Sequence, residues 1–188
     1  MVEFPEQVSE KVRDVVLFLT YKSKRPLSAR RIQKLAYLAE LRAIEKLGRR
    51  LTDADFMNYK HGPWSLEVAL AAEEAPELQM SKEETPRGIG RFFSPAQNKA
   101  KIHALGKEEI DLLHAFVADW IRVDTDALVK AAKTSPPFIW TANLRDPIPF
   151  EEYGNFVKSF KEAKADKLGN VTVLDTKSAV ESFVKSLS

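Results

Sequence analysis

Two side chains whose chemistry demands a partner, the amide of Gln33 and the carboxylate of Glu40, stand seven residues apart in one helical run. At about 100° per residue they fall on the same side of that helix. The side is apolar: Ile32, Leu35, Ala36, Ala39, Ala43 and Leu47 form it, and Tyr37 and Ile44 widen it. Arg30, Arg31, Lys34, Arg42 and Glu45 take the opposite sector. A buried amide or carboxylate is costly unless hydrogen-bonded, so Gln33 and Glu40 must meet partners from another segment or face a pocket. Two readings stay open, a satisfied network that pins a neighbouring loop and a functional pocket.

The second group of interest is Tyr59-Lys60-His61-Gly62-Pro63-Trp64-Ser65. Proline biases the residue before it away from the helical region, so Gly62 is expected to be extended or in a conformation that other residues avoid. Ser65 is placed to cap a following helix. Such an elbow fixes geometry, and it would hold Tyr59, His61 and Trp64 against the long helix, within reach of Gln33, Tyr37 and Glu40. A hydrogen bond from His61 to Glu40 would orient the imidazole and raise its pKa. Core packing is the competing role for both aromatics.

Other chemistry is scarce. The chain has no cysteine, which excludes disulfides, thiolate nucleophiles and cysteine-based zinc sites, and its 3 histidines form no metal-ligand spacing. Nucleophile-elbow and phosphate-loop patterns are missing, and Gly88-Ile-Gly90 does not supply one. The acidic pairs Glu73-Glu74, Glu83-Glu84, Glu108-Glu109 and Glu151-Glu152 are adjacent in sequence and diverge on a helix. The expectation is a non-enzymatic protein with no cofactor and no metal.

Elements that would position these residues follow from caps and periodicity. Ser28 and Gly48 bound the long helix without an intervening proline. Before it, Glu6 to Lys22 reads as a helix with Val8, Val12, Val15, Val16 and Leu19 on one stripe, joined by the short link 23–27. Thr52 or Asp53 would cap a helical turn, Phe56 to Tyr59 suits a short extended piece, and Leu66 to Glu74 a helix. Residues 75–106 suit a β-hairpin or wing whose Arg87 and Arg91 could contact a partner. Helices are expected over Lys107–Arg122 and from Asp124 or Thr125 to Lys133, where Pro136-Pro137 stops the run and leaves Phe138 to Trp140 non-helical. Residues 141–153 read as a loop, Asn155–Ala165 and Thr176–Leu187 as helices, and Asn170–Leu174 as a short strand. The fold class is mainly α (α+β), a helical domain over 1–153 with a small hairpin or wing and a C-terminal extension over 154–188.

The 188 residues, 44% hydrophobic, suit one substantial core. No apolar run is long enough to span a bilayer and no signal-peptide pattern opens the chain, so no membrane contact and a cytoplasmic location are expected. The net charge of +2 hides an asymmetry: residues 22–50 carry ten Lys or Arg against two Glu. Arg30, Arg31, Lys34, Arg49 and Arg50 form a candidate basic patch for an acidic protein or for nucleic acid. Helix, basic turn and helix also resemble the front half of a winged helix, in which Arg30, Arg31 and Lys34 would approach phosphates.

Over residues 27–70 the order and spacing of Leu27-Ser28, Gln33-Lys34-Leu35-Ala36-Tyr37, Gly48-Arg49-Arg50-Leu51 and Tyr59-Lys60-His61-Gly62-Pro63-Trp64 resemble the Panacea, or SocA-like, domain family, with a weaker match to about residue 153. The resemblance implies a mainly helical domain that acts as an antitoxin or proteolytic adaptor, binding and restraining a partner protein, in many cases a toxin encoded nearby. It maps the family's motif onto Gln33, Lys34, Leu35, Tyr37, Gly62 and Pro63. Where the family carries Thr-His before Pro-Trp, this chain has Lys133-Thr134-Ser135-Pro136-Pro137-Phe138-Ile139-Trp140, without the histidine. The alternative expectation is a DNA-binding regulator built on the basic helix pair.

Overall fold

Ser28 and Gly48 set the two ends of the central helix in the computed structural model, which describes residues 8–86, 88–96 and 100–165. Ser28 accepts a hydrogen bond from the Arg31 amide at 3.3 Å, and Gly48 closes the helix in the left-handed region at φ 70°. Between them α2 (Ala29–Leu47) is preceded by α1 (Glu10–Lys22) and by a two-residue strand, β1 (Leu27–Ser28). After it come α3 (Leu66–Glu74), the hairpin β2 (Leu78–Thr85) and β3 (Gly88–Pro95), then α4 (Lys107–Trp120), α5 (Thr125–Lys133), α6 (Pro136–Trp140) and α7 (Phe150–Ala165). The architecture is mainly α with a small antiparallel sheet.

α2 is enclosed on nearly all sides by α1, α3, α4, α5 and α7. The expected apolar face is buried, with Leu35, Tyr37, Ala39 and Ala43 fully so. The expected charged sector is not free. Lys34 and Glu45 are buried with the rest, because the elbow before α3 and helix α7 cover that side. A helix so wrapped buries several large apolar side chains at about 1.5–3 kcal/mol each, ample to hold a few polar groups that have partners.

The sheet runs β1-β3-β2, with Leu27 opposite Phe93 and Thr85 opposite Gly88. The hairpin lies within the expected stretch 75–106, with Gly88-Ile-Gly90 opening β3, while β1 is too short for periodicity to disclose. Helix, strand, helix, helix, strand, strand, with the first strand paired to the third, is the connectivity of a winged helix. The helix pair would then be α2 and α3, which puts α3, not α2, in the recognition position.

Four sequence expectations need correction. Thr52 and Asp53 cap no helix; residues 52–56 are irregular. Phe138 to Trp140 are helical, because Pro136 and Pro137 occupy the first turn of α6, where a missing N–H costs nothing. α7 begins at Phe150 rather than Asn155, so the 153/154 division falls inside a helix whose Tyr153 and Val157 belong to the main core. The first helix begins at Glu10, where Ser9 in an extended conformation caps it, rather than at Glu6; Arg87, the strand at 170–174 and the helix at 176–187 lie outside the described residues.

Candidate functional site

The elbow is built on two side chains of α2. The Gln33 amide brackets Ser65, donating to its carbonyl at 2.8 Å and accepting from its N–H at 2.8 Å, as a neighbouring strand would. Ser65 in turn caps α3 through the Val68 amide at 3.3 Å and donates to the Glu67 carboxylate. One residue along α2, Lys34 donates its Nζ to the Pro63 carbonyl at 2.5 Å. Gly62 sits between them at φ 92°, and a Cβ there would come within 3.2 Å of Lys34 Cε and 3.3 Å of Lys133 Cγ. Its conformation favours glycine, and a Cβ there would press on the Lys34 and Lys133 side chains.

From this strut the chain returns on itself. Met57 and Trp64 exchange backbone hydrogen bonds of 2.9 and 3.1 Å, and Met57 also bridges to Pro147, so residues 56–58 are held on both sides. Tyr59 and Trp64 then lie with ring centroids 5.8 Å apart on the outer side of the elbow. Tyr59 is 40% exposed, Trp64 is half-buried and His61 is exposed.

Glu40 has a different task from the one proposed for it. Its carboxylate accepts from the Leu51 amide at 2.8 Å, the Thr52 amide at 2.9 Å and the Thr52 hydroxyl, with Arg50 Nε 3.7 Å away. It pins the turn after α2, one helical turn or more beyond the elbow, and makes no contact with His61. Burial raises its pKa, against the Arg50 charge and these donors. His61 moves opposite to the expected direction: desolvation, with repulsion from Arg30, Lys60, Lys133 and Lys34, holds it below the ordinary imidazole value. Tyr37 also stands apart from the elbow. Its hydroxyl meets Ser135 at 2.7 Å, its ring packs on Phe56 and Phe150, and burial raises its pKa.

The basic patch is mostly consumed inside the molecule. Arg31 donates to the Val123 and Ile121 carbonyls at 2.7 and 2.9 Å, satisfying the end of α4. Arg49 pairs with Glu109, and Arg50 donates to the Ala54 carbonyl and lies 4.3 Å from the Phe150 ring centre. Lys34, only 2% exposed, is pushed down to about 7 by desolvation and by the charges of Arg30 and Lys133. Arg30 alone of the five keeps its charge outside such a link among the described residues. Sequence reasoning did not connect Lys60 and Lys133 with this group, because Lys133 arrives from α5, about a hundred residues away from the helix it faces.

Two concavities border these residues. A cavity of about 160 Å³ lies between α2, α3, β3 and the elbow, lined in part by Arg30, Gln33, Lys34, Tyr59, His61 and Trp64. A broader groove of about 1100 Å³ runs between Arg50, Asp55 and Trp140 on one side and Glu151, Lys158 and Lys161 on the other, and the elbow does not line it. Among the described residues no group of three or more His, Asp or Glu is placed to hold a metal ion, and no helix is long and apolar enough to cross a membrane. No family model, curated protein or solved structure matches this chain.

Proposed function

We propose that this chain is a non-enzymatic protein-interaction module of the antitoxin or adaptor kind, which binds and restrains a partner protein through the elbow. The observation that carries the reading is the construction of residues 59–65. A pair of partly exposed aromatics is mounted on a strut whose links to α2 are buried hydrogen bonds from Gln33 and Lys34. Aromatic side chains held rigid lose little entropy on binding and are frequent anchors of interfaces. The motif residues shared with the Panacea family, Gln33, Lys34, Gly62 and Pro63, would thus be the frame, and Tyr59, His61 and Trp64 the presented surface.

A catalytic use of the same place is less well supported. Lys34 has the depressed pKa of an activated amine, but its Nζ is bonded to the Pro63 carbonyl and the residue is almost wholly enclosed. The winged-helix connectivity favours DNA binding as the second reading. Against it, α3 carries Glu67, Glu73 and Glu74 and no Lys or Arg, which would set negative charge against phosphate.

Co-expression with the product of the adjacent gene, followed by size-exclusion chromatography, tests the first reading. A stable complex is expected, and Tyr59→Ala should release the partner while leaving the circular dichroism of the free protein unchanged. A complex indifferent to Tyr59→Ala, or no complex, would overturn it. Retention of duplex DNA at low salt, lost steeply as salt is added, would favour the second.

A further inference from the structure

The small cavity beside the elbow has two unlike ends. Its floor is apolar, with Ile32, Val68, Ala72 and Phe93 contributing. Its volume of about 160 Å³ is similar to the roughly 150 Å³ of an engineered protein cavity that takes up benzene, so one aromatic ring or branched aliphatic group fills it. The end nearest the elbow is basic. Arg30, Lys34 and His61 line it, and Lys60 and Lys133 stand close enough to repel His61. Among the described residues none of these five makes an ion pair with a carboxylate. The far end is neutralised, since Glu73 there pairs with Arg91.

We infer that this cavity binds an apolar group bearing an adjacent carboxylate, as at the C-terminal residue of a polypeptide, with the side chain on the Ile32, Val68 and Phe93 floor and the carboxylate at Arg30 and His61, beside the enclosed Lys34. The inference rests on the protein-binding reading and names the chemistry by which a partner would be recognised.

Clustered basic groups without counter-ions disfavour one another's protonation, and a bound anion reverses that effect. Neither half of the cavity explains a ligand alone. A bare oxyanion would leave the floor empty, and a neutral apolar group would leave the cations uncompensated. A carboxylate joined to one large apolar side chain satisfies both. Lys34, enclosed and bonded to Pro63 at the cavity edge, acts through its charge, because a carboxylate bound beside it favours the ammonium form.

The probe is the peptide Ac-Gly-Gly-Phe as its free acid and as its C-terminal amide, titrated into the full chain while the NMR signals of the His61 ring and the Trp64 indole are followed. The acid should shift both signals and bind at least about 10-fold more tightly than the amide. Arg30→Ala, a half-buried position whose side chain makes no hydrogen bond or ion pair among the described residues, should remove most of that difference. Lys34→Met should also do so, its folding checked by circular dichroism. Equal affinity for acid and amide, absence of any shift, or the same shifts from inorganic phosphate alone would overturn the inference. Its failure is separable from that of the parent reading. If the co-expressed complex forms and survives excess free-acid peptide, the module binds a partner but not in this way. If no complex forms while the peptide acid still binds as expected, the cavity stands and the adaptor role falls.

Discussion

At the residue scale, Lys34 is the departure with the clearest consequence. An ordinary lysine titrates near 10.5, and here enclosure and neighbouring charge bring the amine down to about 7. Above pH 7 the folded protein therefore binds fewer protons than the unfolded chain. Stability should rise as pH increases from about 7 towards 10.5, by at most about 1.4 kcal/mol per pH unit from this group, and be flat in its contribution below 7. Denaturant midpoints between pH 6 and 10 should show the slope in the parent and its loss in Lys34→Met; an identical slope in both would dispose of the assignment. Gln33 gives a second prediction. Gln33→Leu leaves the Ser65 N–H and carbonyl without their partner, which should cost about 3 kcal/mol in denaturant unfolding. The enclosure of Gln33 and Glu40 was legible in the sequence, because their seven-residue spacing places both on the apolar side. That of Lys34 was not, since a helical wheel describes one helix and the cover over Lys34 comes from residue 63 and from α5.

Caps and glycines made the elements readable. Ser28, Ser65 and Asp124 each accept an N-terminal amide, and Gly48 takes the left-handed position, so α2, α3 and α5 begin or end where those residues predicted. Signals failed where a breaker serves as a starter, as Pro136 and Pro137 do in α6, or where an element has no length, as with β1. The docking of α4 supplies a prediction on this scale. Glu109 in its first turn takes the Gly106 amide at 2.8 Å and faces Lys11 of α1 and Arg49 beyond α2. Burial alone would raise its pKa, but these partners hold it down to about 2. Because the folded value is depressed, the contribution is complete above about 4.5 and is lost as pH falls from there towards 2. Glu109→Gln should lower stability at pH 7 by about 2 kcal/mol and flatten the acid limb of the unfolding profile. If the parent and variant lose stability in parallel between pH 4.5 and 2, the three-way junction is not what fixes α4.

Across the whole molecule, charge decides between the two kinds of partner, and it does so differently from the linear sequence. Residues 22–50 look like a nucleic-acid footprint on paper, but folding spends Arg31, Arg49 and Arg50 on carbonyls and carboxylates and encloses Lys34. Among the described residues the cations left together at the elbow are Arg30, Lys60 and Lys133, beside His61, while α3 turns Glu73 and Glu74 outward. Each phosphate neutralised on duplex DNA contributes about 0.9 to the salt slope of the logarithm of affinity. A group of this size should therefore give a slope no steeper than about −3 in fluorescence anisotropy with any duplex, with no dependence on sequence. Glu73→Lys together with Glu74→Lys should steepen it, because the second helix of the pair would then meet phosphate with charge of the right sign. A slope of about −6 or beyond for the parent chain would require more cations than the described residues gather at the elbow. It would favour the DNA-binding reading over the proposed protein-binding one.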